Sequence, residues 1–196
     1  MRSSAETKSA RRRWSLVLCA CSLWASGAAV ASDTFQELLE VKLEPAGGVK
    51  ATARILFPAS HDTIQALLTD YAHWPDLFEV RMRLVDLKVR QGVVTTDLRI
   101  DHMLLPGERR LVTETRVQPG RIFTDLVGGD FKRYHRVWRL APSNDGKATR
   151  ADFELAVEID SVVPDWLVAE ATRRELEAHF RIVKDKARAR STTLEK

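Results

Sequence analysis

A length of 196 residues gives room for one ordinary domain with a sizeable core. The formal charge of +4 suggests a polyanion partner at first sight, but five of the 31 basic residues (Arg2, Lys8, Arg11, Arg12, Arg13) and one of the 27 acidic ones (Glu6) lie in residues 1–31. The remaining 26 of each sign cancel, which leaves no positive excess for phosphate and argues against nucleic acid as a partner.

Residues 1–31 read as a signal peptide. Arg11, Arg12 and Arg13 form a positive start, Trp14 to Val30 is apolar and uncharged, and Ala29-Val30-Ala31 supplies the small residues that a signal peptidase needs. The uncharged run falls short of the roughly 20 residues of a spanning helix. The sequence therefore predicts cleavage after Ala31 and export, in the first instance to a periplasm. Leu18-Cys19-Ala20-Cys21 loosely matches a lipoprotein box with Cys21 as the acylated residue, and an uncleaved membrane anchor is the other minority reading. Both cysteines lie in this segment, so a mature chain has no thiol nucleophile, disulfide or thiolate metal site.

Residues 32–48 are a lead-in and the start of a first strand, with Leu38, Leu39, Val41 and Leu43 before a turn at Pro45-Ala46-Gly47-Gly48. Val49–Phe57 alternates weakly and enters a helix punctuated by Pro58 and capped by Ser60. Ile64, Leu67, Leu68 and Tyr71 make one apolar stripe. Trp74, Leu77 and Phe78 repeat the spacing in a second short helix, with Pro75 in its first turn. Val80–Arg90 is a strand whose alternation slips near Val85, the mark of a bulge. Val94, Thr96, Leu98, Ile100 and His102 then share one face opposite Asp97, Arg99 and Asp101.

Further strands are predicted over 110–117, 121–127, 131–140 and 150–159, joined by short turns. About seven strands so connected favour an antiparallel meander. Pro164 opens a long helix whose stripe of Ala169, Thr172, Leu176, Phe180, Val183 and Ala187 runs to about Ala189, and 190–196 is a polar tail.

The fold class is thus α+β, and residues 49–189 form its domain. The order strand, two short helices, six strands, long helix resembles the helix-grip fold of the START-related (SRPBCC) superfamily, which includes polyketide cyclase and coenzyme Q-binding families. The residues that carry the resemblance are Phe57-Pro58-Ala59-Ser60, Leu68-Thr69-Asp70-Tyr71 and Trp74 to Phe78, then Gly129-Asp130-Phe131 with Trp138-Arg139-Leu140, and Val163-Pro164 before the last helix. Glu79 and Arg136 depart from the usual pattern, which has proline and glycine at these positions. The resemblance implies a curved sheet gripping the C-terminal helix around a cavity for a hydrophobic small molecule.

A dry apolar void of ligand size, about 500 Å³, would cost roughly 12 kcal/mol at about 24 cal/mol per Å³. That equals the whole stability of a domain, so such a space has to be collapsed, wet or filled. Its candidate lining is Tyr71, Trp74 and Phe78 from the short helices, then Leu98, Ile100 and His102, Tyr134 and Trp138, Phe153 and Leu155, and finally Leu176, Phe180 and Val183. Each has a plainer reading as core.

His102 and Tyr134 are the candidate acid–base pair of an enzyme, or the polar groups that orient a ligand. No triad, HExxH motif, phosphate-binding glycine loop or paired-carboxylate motif accompanies them. The other histidines (His61, His73, His135, His179) are scattered, so neither a metal nor any other cofactor is expected. Arg81/Arg83, Arg109/Arg110 and Lys132/Arg133 read as solvated strand charges, or as a rim for transient contact with anionic membrane lipid. Three functions remain open: an exported carrier of a lipid-, isoprenoid- or quinone-like molecule, a cyclase- or dehydratase-like enzyme, and an interaction module with a collapsed pocket.

Overall fold

The structure is a computed structural model and describes residues 35–105, 107–143, 145–159 and 163–194, with side chains of the last helix to Ser191. The export tract, its cleavage site, both cysteines and the last two residues of the tail lie outside the described residues.

Eight strands form one antiparallel sheet: β1 (Leu38–Leu43), β2 (Val49–Phe57), β3 (Arg81–Arg90), β4 (Val93–Asp101), β5 (Arg109–Gln118), β6 (Arg121–Gly129), β7 (Phe131–Ser143) and β8 (Ala148–Ile159). Their spatial order is β1-β2-β8-β7-β6-β5-β4-β3. From β3 to β8 each strand pairs with its sequence neighbour, and the sheet is completed where β2 pairs with β8. The lead-in supplies one strand more than the predicted seven, because Leu38 to Leu43 pairs residue for residue with Arg54 to Val49. The predicted slip in β3 appears as a register shift between Leu84 and Asp86 opposite β4, which leaves Val85 exposed.

α1 (His61–Leu68) begins at Ser60, whose Oγ accepts the Thr63 N–H at 3.3 Å. The second short helix is not α-helical. Tyr71–Leu77 is a 3-10 segment with a kink at His73, closed by bonds such as His73 N–H to the Asp70 carbonyl and Phe78 N–H to that of Pro75. Pro75 has no N–H to extend an α-helical ladder, so the chain takes the tighter turn instead.

α2 (Asp165–Leu194) is 30 residues long and packs against β1 and β2 and against α1. It buries Leu176, Phe180, Val183 and Ala187 of the predicted stripe. Trp138, Phe153 and Phe180 meet ring to ring at 4.6–5.8 Å between centroids, and Phe57 joins Trp138 at 6.1 Å. Aromatic contacts of this kind add about 0.5–1.5 kcal/mol each beyond area burial. This cluster fills the grip beneath the middle of α2.

Candidate ligand-binding site

Towards the N-terminal half of α2 the side chains become small. Ala171 and Thr172 face the sheet where Phe180 stands two turns later, and a cavity of about 170 Å³ opens between helix and sheet. Met82, Ile100 and Leu111 wall it from β3, β4 and β5, while Phe131, Tyr134, Leu155, Val157 and Ile159 do so from β7 and β8. Phe78 and Val80 close it below, and His102, Leu104 and Leu105 overhang it from the segment after β4. At about 24 cal/mol per Å³ a dry space of this size costs roughly 4 kcal/mol. A domain tolerates that cost, whereas it would not tolerate the roughly 12 kcal/mol of a full ligand-sized void. The grip is therefore partly closed.

Four of the nineteen lining residues carry polar side-chain atoms: His102, Tyr134, Thr172 and Glu175. His102 directly follows β4, and its Nδ1 accepts the Leu104 N–H at 3.2 Å. A neutral His102 therefore carries its proton on Nε2. That nitrogen points at Glu175 Oε1, 3.8 Å away across the cavity wall. The other oxygen, Glu175 Oε2, is buried without a hydrogen-bond partner. A carboxylate in this setting attracts a donor, so a hydroxyl or N–H on an apolar ligand has a partner here, and a substrate proton has an acceptor.

Of the thirteen candidate lining residues, Phe78, Ile100, His102, Tyr134, Leu155 and Leu176 stand on the cavity wall. Tyr71, Trp74, Leu98, Trp138, Phe153, Phe180 and Val183 are buried in the core instead, where their side chains fill the closed end of the grip. Sequence reasoning missed the other thirteen wall residues, Met82, Leu111 and Glu175 among them. Met82 shares a face with Leu84 in β3, so its alternation was a usable signal. Glu175 lies one residue before Leu176 of the apolar stripe, and nothing local distinguishes it from a solvated helix charge.

The closed end is locked by His179. Its Nδ1 lies 2.9 Å from the Leu77 carbonyl, and its ring stacks on Phe78 at 4.3 Å between centroids. Burial pushes the imidazole down to about 4; the bond to Leu77 opposes this and nearby Arg136 adds to it. The surface cations are mostly matched by acids. Arg81 faces Asp101 at 3.5 Å, Arg83 faces Glu108 at 3.4 Å, Arg110 pairs with Asp97 at 2.8 Å, and Arg133 pairs with Glu44.

Residues 57–179 match the family described as polyketide cyclase / dehydrase and lipid transport. No curated protein matches the chain in sequence. Among solved structures, the fold is similar to the STAR-related lipid transfer protein of Xanthomonas axonopodis, with TM-score 0.63, 13% identity, and 78% of this chain covering 98% of that one. It is similar to the Zhui aromatase/cyclase from Streptomyces sp. R1128, with TM-score 0.57, 13% identity, and coverage of 78% and 96%. A START superfamily protein from Mycobacterium smegmatis aligns with TM-score 0.57, 20% identity, and coverage of 71% and 97%. At these identities the likeness is one of fold.

Proposed function

This chain belongs to the polyketide cyclase / dehydrase and lipid transport family, and from that premise we propose that it is an exported carrier of an apolar, lipid- or isoprenoid-like small molecule. One observation carries the reading: a cavity under α2 whose wall is apolar at fifteen of nineteen residues, with its polar groups few and convergent. The ligand-facing residues in this reading are Phe78, Ile100, Leu155 and Leu176 for the apolar body, and His102, Tyr134 and Glu175 for orientation. Its family membership and its likeness to the STAR-related lipid transfer protein of Xanthomonas support lipid carriage. Export rests on the Arg11–Arg13 and Trp14–Val30 pattern alone, and N-terminal sequencing of secreted protein that begins at Ser32 is its test. Met103 and Trp166 are 94% and 64% exposed beside cavity-lining segments, which suits transient contact with a membrane surface during exchange.

Organic extraction followed by mass spectrometry of the purified protein tests carriage directly. A hydrophobic molecule in stoichiometric amount is the expected result. A protein that yields none, and that binds nothing from a panel of lipids and quinones, is not a carrier.

A second reading has one observation in its favour. The Glu175 carboxylate and the His102 Nε2–H converge on the cavity as an acceptor and a donor, which suits a cyclase- or dehydratase-like proton transfer. Under that reading His102→Ala abolishes turnover and leaves binding within a few-fold. Under the carrier reading there is no turnover to lose.

A further inference from the structure

Behind the inner wall of the cavity lies a buried cation with no counter-ion. Arg136 occupies the inner face of β7 between Tyr134 and Trp138 and is 4% exposed. Its guanidinium lies over the Trp74 indole, 4.1 Å from the ring centre, and its Nη2 donates to Thr124 Oγ1 at 3.1 Å. Among the described residues no carboxylate pairs with it. Leaving a charge so buried costs several kcal/mol unless something compensates.

The neighbouring polar groups compensate only in part: the Tyr134 phenol and the Thr124 hydroxyl accept from the guanidinium, but both are neutral and each brings a hydrogen of its own. Arg136 Nε–H and Trp74 Nε1–H are buried without a partner, and the buried Tyr71 hydroxyl has only the Thr115 hydroxyl beside it. Thr115 and Thr124 share one hydrogen bond at 3.0 Å, and Thr124 already accepts from Arg136. Two hydroxyls joined by one bond leave one hydrogen over, whichever donates. Tyr71 cannot serve as a phenolate, since burial pushes its phenol up despite the nearby guanidinium. The cluster thus holds several unengaged donor hydrogens around a fixed positive charge, and among the described residues it holds no anion.

This cluster adjoins the cavity. Leu155, on the cavity wall, is the cross-strand partner of Arg136 in β8. Tyr134 lines the cavity, and its phenol also adjoins the guanidinium. Phe78, a third wall residue, packs edge-on against Trp74 at 5.4 Å. Arg136, Trp74 and Tyr71 do not themselves line the cavity, so a ligand head reaches them where Tyr134, Leu155 or Phe78 turns aside.

We propose that the cavity takes an amphiphilic carboxylic acid head-inward, with its carboxylate received by Arg136 and by the indole and phenol donors of Trp74 and Tyr71. A planar guanidinium matches a carboxylate in shape as well as charge. The apolar chain then lies along Leu155, Val157 and Leu176 towards Leu104 and Leu105. The inference rests on the cavity being a ligand site, and it adds the chemical class of the ligand and its direction.

Calorimetric titration of the full-length protein with decanoate, 1-decanol and methyl decanoate separates the two ideas. Decanoate binding at least about tenfold tighter than the alcohol and the ester is the expected result, with the preference lost in Arg136→Gln and reduced in Trp74→Phe. Equal affinity for all three overturns the carboxylate site and leaves the carrier reading standing. No binding of any of the three, with none from the lipid and quinone panel, overturns both. If Arg136→Gln fails to fold, NMR on the wild-type protein decides instead. The Trp74 indole N–H resonance moves with decanoate and not with decanol; a resonance that responds to both alike, or to neither, overturns the proposal.

Discussion

The imidazole Nδ1 of His179 lies 2.9 Å from the Leu77 carbonyl and ties the middle of α2 to the end of the 3-10 segment. The ring is 1% exposed, and its burial holds it neutral down to about pH 4. The unfolded chain protonates this histidine near 6.5, so between 6.5 and 4 the unfolded state binds more protons than the folded one. Stability is therefore complete above that window and is lost as pH falls through it. Each pH unit inside the window is worth about 1.4 kcal/mol, so the loss by pH 4.5 is about 2–3 kcal/mol. Urea denaturation at pH 7 and pH 4.5 measures it. His179→Asn keeps a donor for Leu77 without the titration and should flatten most of the slope. Asp97 and Glu154, held low by Arg110 and Arg139, begin to lose their contributions only as pH falls through their ordinary values of 3.8 and 4.5, so most of their loss lies below pH 4.5.

Much of this architecture was legible because local chemistry dictates it. Ser60 caps α1, the alternation in β4 orients Leu98 and Ile100 inward, and the slip at Val85 becomes a bulge. What the pattern could not give is position along the grip. Alternation places Trp138 and Leu155 on the same side of the sheet, but only the point at which α2 crosses decides which becomes core and which becomes cavity wall. The small side chains of Ala171 and Thr172 mark that point, and they look unremarkable beside a longer apolar stripe. His102 was legible as an inward polar group. Its partner Glu175 lies 73 residues further on, and no spacing rule connects the two.

Trp74 shows the consequence. Read as a ring on an apolar stripe next to a cavity, it predicts a ligand contact whose loss weakens binding more than stability. In the structure it is 3% exposed, packed edge-on against Phe78 and stacked under Arg136. Trp74→Ala should therefore cost about 3–5 kcal/mol of stability, while affinity for a neutral apolar ligand changes less. Denaturation and titration on the same variant decide between the two. A small stability loss with a large loss of neutral-ligand affinity would return Trp74 to the cavity wall.

Glu175 carries the opposite signature. Its Oε2 is buried and unpartnered on a mostly apolar wall, an arrangement that costs about 1–3 kcal/mol. Glu175→Met keeps the length of the side chain and removes that cost, so the variant should be more stable by a similar amount in urea denaturation. A residue that destabilises the fold from inside a cavity is retained for something else, and the same variant should lose affinity for ligands bearing a hydroxyl. A destabilised Glu175→Met would make the carboxylate a structural partner of His102.

Two glycines separate backbone strain from steric fit. Gly129 has φ +105, and a Cβ there would stand 2.2 Å from the Arg110 carbonyl oxygen, beside the register shift of β5 and β6. Gly146 has φ +83 with nothing within 4 Å of an added Cβ. Gly146→Ala should cost about 1–2 kcal/mol, the left-handed penalty alone. Gly129→Ala adds a backbone collision and should cost about 3 kcal/mol or more. Comparable losses in the two variants would mean that β5 yields at Arg110.

The most direct test of the cavity fills it from the helix side. Ala171 lines the wall opposite β7 and β8, and the cavity of about 170 Å³ has room for the three extra carbons of a leucine. Ala171→Leu keeps good helix propensity and buries new apolar area, so stability should hold or rise by about 1–2 kcal/mol. Overpacking would instead cost about 1–3 kcal/mol, and its absence would show that the space is real. Affinity for an apolar ligand should fall at least about tenfold, roughly 1.4 kcal/mol. Lower affinity together with higher stability cannot come from partial unfolding, so this pair of results would place the ligand between α2 and the sheet. Unchanged affinity in a well-folded Ala171→Leu would move the ligand elsewhere on the molecule.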